Sequence, residues 1–258
     1  MFILKNKRTV FMSFIRRLLR LSALLVHLLI GVSLAVLLTV ILRKTYEHEV
    51  LKRTRKWWLR RLAYCTGAEL VIRGEPVLGR VLWVANHVSW LDIGVLGGVG
   101  EPRFLSKVEV KRWPIIGWLA TRAGTLYIDR GQSGDAAAEE VRQALLQGDC
   151  VALFPEGTTT DGKNVNRFFA RIFAPALDTG TPVQPIVLRY TDQAGNALAS
   201  VPYIGKQSLL HNIWTITALP RFKAQVHFLA PLETQGLNRK EIASQCEELI
   251  RTEVLANS

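Results

Sequence analysis

His87 and Asp92 stand five residues apart in "VLWVANHVSWLD" (residues 81–92), and both side chains can hold or move a proton. On one continuous helix that spacing would rotate the two directions apart by about 140°. They can meet only if the chain bends between them, and the local pattern predicts such a bend. The β-branched apolar run "RVLWVAN" reads as a strand ending at His87. Ser89-Trp90-Leu91-Asp92 then has the form [ST]-x-x-[DE] that opens a helix. A strand-to-helix turn could fold the imidazole over the first helical turn. A carboxylate on one ring nitrogen would fix the tautomer and leave the other nitrogen as a proton acceptor. The plainer alternative is that Asp92 caps the helix and His87 is a loop residue. No G-x-S-x-G sequence supplies a nucleophile, so a His–Asp pair here would act on a hydroxyl of the substrate.

Three further stretches put polar groups where strands are expected to end. "VALFPEGTTTDGKN" places Glu156 and Gly157 in a turn directly after an apolar run. There Glu156 is either a solvated turn carboxylate or a holder of a polar headgroup. "GTLYIDRG" ends a strand in Asp129-Arg130, and a guanidinium fork suits phosphate, with a surface ion pair as the alternative. "FLSKVEVKRWPIIGW" leaves Lys107 in a polar break before Trp113-Pro114, as an anion contact or a solvated cation. Gly157 to Asn164 also reads G-x-x-x-x-G-K-N, one residue from the phosphate loop G-x-x-x-x-G-K-[ST]. Asn164 lacks the hydroxyl that would hold Mg²⁺, and no Walker-type strand follows, so a P-loop-like nucleotide-binding protein is a remote alternative. His27 lies in the apolar run, His227 alternates within a strand, and His48 and His211 lack an acidic partner at a useful spacing, so all four read as structural.

The elements that must position these groups follow from composition and period. With 258 residues, 49% of them hydrophobic, the chain can bury one substantial core and carry a membrane segment. Its net charge of +12 is confined to residues 1–61, where fourteen Lys and Arg face only Glu47 and Glu49. Residues 62–258 are balanced, nineteen cations against nineteen carboxylates, so the charge points to a membrane surface and not to nucleic acid. Within the basic quarter, residues 21–42 carry no formal charge and, at about 1.5 Å per residue, could span a bilayer core. The run is too long for a secretory signal and lacks a small-residue cleavage site. Cations flank it on both sides, from Lys5 to Arg20 and from Arg43 to Arg61. The positive-inside rule then favours an interfacial or re-entrant helical pair over a single crossing. The second helix is expected over residues 46–64, with Trp57, Trp58 and Tyr64 at the headgroup level. Three scattered cysteines fit a reducing, cytosol-facing protein.

After Gly67, short apolar runs alternate with helical stretches. Strands are expected in "ELVIRG", "RVLWVAN", "TLYIDR", "DCVALF", "TPVQPIVLRY" and "AQVHFLAPL". Helices are expected in "WLDIGVLGGVG", "GWLATRAG", "GDAAAEEVRQALLQG" and, behind an Asn238 cap, "NRKEIASQCEELIRTEVLA". This predicts an α/β fold: a mixed, largely parallel sheet flanked by helices, preceded by an N-terminal helical membrane-anchoring segment. The expected division is 1–68 for the anchor and 69–258 for the α/β unit. Ligands of such sheets collect at the carboxyl ends of strands.

Taken together, these motifs resemble the glycerolipid acyltransferases, the lysophosphatidic acid acyltransferase family in particular, over roughly residues 70 to 190. Asn86, His87 and Asp92 match the family's Asn-His-x-x-x-x-Asp, and Gly124 to Arg130 resembles its Gly-x-x-Phe-Ile-x-Arg with Tyr127 as the aromatic. Phe154 to Thr158 meets Phe-Pro-Glu-Gly-Thr in full, and "PVQPIVL" resembles the fourth motif with an inserted Gln184. The resemblance implies acyl transfer from acyl-CoA or acyl-carrier protein to the free hydroxyl of a lysolipid, without an acyl-enzyme, metal or bound cofactor. His87 would be the catalytic base and Asp92 its orienting partner. Glu156, Gly157, Thr158, Arg130 and Lys107 would position the acceptor. One position departs: where the family commonly carries Arg after Glu-Gly-Thr, this chain has Thr159. Losing a charge-assisted phosphate contact costs on the order of 1.5–3 kcal/mol unless Arg130, Lys163 or Arg167 replaces it. The "EGTT-DG" variant also resembles a bacterial branch that includes lyso-ornithine lipid acyltransferases. Lysophosphatidic acid is the leading expected acceptor, with lyso-ornithine lipid or another lysolipid next. The resemblance and the anchor imply a monotopic or single-pass enzyme on anionic lipid at the cytoplasmic face of the inner membrane.

Overall fold

The computed structural model describes residues 2–128 and 135–256. Helix α1 (Phe2–Ala35) continues through a π-helical segment (Val36–Ile41), and α2 (Glu49–Thr66) returns alongside it. The stretch Val10–Ile41 is long and apolar enough to cross a membrane, and most of it is not covered by protein. His48 caps α2 by accepting the Val50 N–H, and Gly67, with φ +95°, ends it in the left-handed conformation. His27 lies on α1 and is buried against α2. Its ring stacks on Trp58 at 5.0 Å, Nε2 meets the Trp58 carbonyl at 2.9 Å, and Trp58 Nε1–H donates to the His27 carbonyl at 2.9 Å. Trp58 therefore locks the helix pair instead of sitting at the headgroup level, while Trp57 and Tyr64 remain exposed.

Among the described residues seven strands follow: β1 (Ala68–Arg73), β2 (Val81–Ala85), β3 (Arg103–Lys107), β4 (Leu126–Ile128), β5 (Cys150–Leu153), β6 (Val183–Thr191) and β7 (Phe222–Phe228). They form one sheet in the order β1-β7-β6-β2-β5-β3-β4. β6, β2, β5, β3 and β4 are mutually parallel; β7 runs antiparallel to β6, and β1 runs parallel to β7. This is the mixed, largely parallel sheet expected from the sequence. β2 is central and buried on both faces, which is why it reads as an unbroken apolar run. Val81, Trp83 and Ala85 face one core layer; Leu82 and Val84 face the other.

The first layer packs under α2, α3 (Leu91–Val99) and α8 (Leu209–Ala218), the second under α6 (Asp135–Leu146), α7 (Ala174–Thr179) and α9 (Arg239–Ala256). Asn238 caps α9 as expected, accepting the N–H groups of Lys240 and Glu241 while Glu241 reaches back to its own N–H. Strand β3, the short helix α4 (Val108–Lys111), α7 and α8 were not anticipated. β3 is five residues with only one buried side chain and carries no clear period, and α8 is rich in β-branched residues, which lower helix propensity.

The N-terminal pair is built into this body. Leu59 and Ala63 of α2 belong to the same core as Trp83 and Val95, so residues on both sides of the 68/69 boundary share one apolar interior. Arg16, Arg17 and Arg20 of α1 donate to the carbonyls of Trp214, Thr217, Ala218 and Leu219 at the end of α8, at 2.6–3.3 Å. Arg55 donates to the carbonyls of Glu101 and Ala123. Four of the cations expected to meet lipid thus hold protein carbonyls.

Between α4 and α5 (Ile116–Arg122) the backbone is strained. Ile115 has φ +62° and ψ −60°, and the Ile116 N–H donates to the Pro114 carbonyl at 2.6 Å. That is a γ-turn centred on a β-branched residue with positive φ, a conformation costing about 1–3 kcal/mol.

α3 can approach α2 because it presents glycines. A Cβ on Gly98 would lie 2.8 Å from the Arg60 Cα, and one on Gly97 would lie 2.3 Å from a Leu59 methyl. Gly98→Ala is therefore expected to lower stability by about 1–3 kcal/mol by overpacking, read as a lower urea midpoint. An unchanged midpoint would mean that the two helices do not pack this closely.

Candidate active site

The site forms at the carboxyl ends of β2 and β5, which lie side by side with Val84 opposite Leu153. Asn86 extends β2 by one side chain: its Oδ1 accepts the Leu188 N–H at 2.8 Å and its Nδ2–H donates to the Leu188 carbonyl at 3.1 Å. The amide thus continues the pairing with β6 after the backbone has turned away. His87 follows in that turn.

Asp92, in the first turn of α3, is fully buried. Its Oδ2 accepts the His87 Nδ1–H at 2.7 Å, the Val88 N–H at 2.8 Å and the Ser89 N–H at 3.0 Å. Its Oδ1 accepts the Tyr190 hydroxyl at 2.6 Å. The two readings of Asp92 are therefore both correct: one carboxylate caps the start of α3 and orients the imidazole. A carboxylate at Nδ1 assigns the proton to that nitrogen and leaves the Nε2 lone pair pointing outward. Among the described residues nothing else bonds to the ring, and the side chain is 21% exposed. Phe154 stacks on its flat side at 4.0 Å between centroids and 13° between planes.

Glu156 is buried, not solvated. Oε1 accepts the His87 N–H and Oε2 the Asn166 N–H, both at 2.8 Å. Burial pushes its carboxyl above the usual range, and the two N–H donors pull it part of the way back. Its place in the site is behind the histidine, fixing the backbone from which the ring projects. Gly157 takes the positive φ of +65° that the turn from Phe154 requires, and Thr158 is exposed at the rim. Thr160 closes over the turn, its N–H donating to the His87 carbonyl at 2.7 Å. The Thr159 hydroxyl donates to the Tyr203 carbonyl, and the Tyr203 N–H donates to the Val88 carbonyl.

Lys107 is exposed at the end of β3, one strand beyond β5. Lys163 and Arg167 are exposed in the segment leaving β5. Arg130 lies outside the described residues. After Asn164 the chain continues without a helix until a short 3₁₀ turn (Ala170–Phe173), so the G-x-x-x-x-G-K-N run has no helix N-terminus to receive a phosphate. A cavity of about 610 Å³ lined by Arg142, Arg171, Asp178 and Arg239 lies among α6, α7 and α9 and shares no residue with this site.

Tyr190 was missed from sequence. The period-two alternation of Ile186, Leu188 and Tyr190 along β6 puts all three in the core layer of Ala85 and Leu91, which is the signal that could have found it. Gln184, which looked like an insertion, is a buried clamp. It accepts the Val77 N–H at 2.8 Å and donates to the carbonyls of Glu75 and Leu229 at 2.8 and 3.1 Å.

Among the described residues the imidazole is held by a buried carboxylate and has no other hydrogen-bond partner on its ring, an arrangement able to take a proton from an alcohol. The chain belongs to the acyltransferase family, whose model matches residues 64–189. It is 41% identical to a lyso-ornithine lipid O-acyltransferase of Pseudomonas aeruginosa over 78% of each chain. It is 34% identical to a 1-acyl-sn-glycerol-3-phosphate acyltransferase of Neisseria gonorrhoeae over 67% of this chain and 69% of that one. Its fold is that of the 1-acyl-sn-glycerophosphate acyltransferase PlsC of Thermotoga maritima, with a TM-score of 0.72 at 19% identity, covering 95% of this chain and 96% of the other.

Burial raises the Tyr190 phenol well above its ordinary range, and the Asp92 charge raises it further, so it stays a donor throughout the working pH range. Tyr190→Phe leaves a buried carboxylate oxygen without its partner and is expected to cost about 1–3 kcal/mol. Chemical denaturation measures it; a variant as stable as the parent would show that Oδ1 has another donor.

Proposed function

We propose that this acyltransferase moves an acyl chain from a thioester donor, acyl-CoA or acyl-carrier protein, to the free hydroxyl of a lyso-ornithine lipid. The observation that carries the chemistry is the 2.7 Å bond between His87 Nδ1 and Asp92, which commits the other ring nitrogen to accepting a proton. His87 Nε2 takes the hydroxyl proton as the oxygen attacks the thioester carbonyl. The tetrahedral intermediate then expels the thiolate, which takes up that proton, so ester and thiol form and no acyl-enzyme is needed. Asp92 orients the ring. Glu156 positions the His87 backbone, and Gly157, Thr158, Lys107 and Arg130 are assigned to the acceptor's polar end.

Two observations move the acceptor from lysophosphatidic acid, the leading expectation from sequence, to a lyso-ornithine lipid. The Pseudomonas relative at 41% identity carries that name. Thr159, at the position of the family's arginine, turns its hydroxyl to the Tyr203 carbonyl. An ornithine headgroup is a zwitterion whose carboxylate is balanced by its own ammonium, so it asks for less positive charge from the protein than a phosphate does. Lysophosphatidic acid is the second reading, favoured by the Neisseria relative, with Lys163 and Arg167 as exposed cations on the same sheet edge.

The same reading puts the protein monotopically on the cytoplasmic face of the inner membrane, bound to anionic lipid. α1 runs along α2 and α8 from Arg16 to Gly31, so its apolar outer side meets lipid while its inner side stays on the catalytic body. Removing residues 1–61 would also strip Leu51 and Leu59 from the interior, so anchoring has to be tested on the full chain.

With purified protein and one labelled acyl donor, kcat/KM is expected to be at least about tenfold higher for lyso-ornithine lipid than for lysophosphatidic acid, a difference of about 1.4 kcal/mol. The reverse preference returns the assignment to lysophosphatidic acid. His87→Ala is expected to lose roughly 10²-fold or more in transfer with its circular dichroism unchanged. A full rate in that variant removes His87 as the base.

A further inference from the structure

The γ-turn at Ile115 opens α5, its carbonyl accepting the Leu119 N–H at 2.9 Å, but the fold gives its β-branched side chain no buried place. A positive φ is tolerated by glycine at no steric penalty, yet here the position is β-branched. The turn points its side chain away from the fold: Ile115 is 52% exposed, Trp113 41% and Ile116 39%. The projection is also firmly held. Gly117 closes the base of the loop, where a Cβ would lie 2.3 Å from the Lys111 carbonyl, and its N–H donates to the Trp113 carbonyl at 3.0 Å. A rigid knuckle thus presents a tryptophan and two isoleucines to the surroundings.

Its rim is cationic. Lys107, Lys111, Arg112 and Arg122 are all exposed around it, with Glu109 the one carboxylate among residues 107–122. Its position in the fold is equally specific. The loop follows β3, so it leaves the sheet at the same carboxyl edge as His87. The helix it leads into, α5, packs against α1, the helix whose outer side is apolar.

We propose that Trp113, Ile115 and Ile116 form a second membrane-inserted element, a knuckle that dips into the acyl boundary of an anionic bilayer beside the active site. An aromatic ring and two aliphatic side chains ringed by cations have the chemistry of an interfacial anchor. The lipid surface is the chosen occupant because the charge is complementary and the helix that follows the knuckle, α5, packs against the apolar α1. Two anchoring points, α1 and the knuckle, fix the tilt of the body and bring the carboxyl edge of the sheet to the lipid surface. The inference rests on the monotopic reading above.

The test attaches an environment-sensitive fluorophore to the full chain carrying Ile115→Cys. The wild type, with Cys65, Cys150 and Cys246, is labelled in parallel as a blank, and Gln235→Cys in the loop before α9 serves as the solvent control. Vesicles of phosphatidylcholine and phosphatidylglycerol are added. In the sedimenting protein the label at 115 is expected to shift to the blue, to be quenched by lipid-attached nitroxide, and to be shielded from iodide. The label at 235 stays open to iodide. If the protein sediments but the label at 115 remains open to iodide, the knuckle is not inserted, although anchoring through α1 stands. If nothing sediments, the anchoring reading itself fails, and this inference with it. A second variant needs no label. Ile115→Gly suits the positive φ and is expected to unfold at an equal or higher urea concentration than the parent. A lower midpoint would mean that Ile115 serves the fold, overturning the proposal.

Discussion

A carboxylate with no access to water is tolerable only if its surroundings supply donors for its charge. Asp92 receives four: an imidazole N–H, two backbone N–H groups and a phenol. These come from the turn after β2 and from β6, so the position of one carboxylate dictates much of the topology around it. β6 must lie beside β2 for Tyr190 to arrive from above, and the chain must turn at Asn86 for the amides of Val88 and Ser89 to point inward. The chemistry of the histidine is a consequence of that arrangement. Once Asp92 is satisfied, only one nitrogen of the ring remains for a substrate.

The second buried carboxylate, Glu156, has a different task achieved by the same means. It takes main-chain N–H groups from His87 and Asn166 and so ties the turn after β2 to the segment after β5. With Thr160 on the His87 carbonyl, both polar groups of the His87 peptide unit are held from the neighbouring strand end. The ring is braced further by Phe154 from the residue run that contains Glu156. Phe-Pro-Glu-Gly-Thr therefore reads as a cradle for the histidine as much as a surface for the acceptor.

Much of this was legible because the signals were local. The strand that stops at Asn86, the capping pattern at Ser89 and the acid five residues beyond His87 are all contained in twelve residues. β2 and β5 were readable because burial on both faces leaves continuous apolar runs. What stayed hidden depended on distant partners. Tyr190 lies 98 residues from Asp92, and nothing in its own strand distinguishes a core phenol from a surface one except which face it takes. Trp58 looked like an interfacial aromatic because sequence does not reveal that a histidine on α1 will stack on it. Arg16, Arg17 and Arg20 looked like lipid contacts because charge counts cannot separate a headgroup from the free carbonyls of a helix end. β3 was missed since a five-residue strand with mixed burial has no period to detect.

The contact between those arginines and α8 bears on how the protein is made. Residues 16–20 are made about 200 positions before the carbonyls they satisfy, which belong to residues 214–219. During synthesis three guanidinium groups beside an apolar helix lack these partners until about 200 further residues have emerged. The basic face of α1 and the carbonyl end of α8 are satisfied together only when the body closes over the helix.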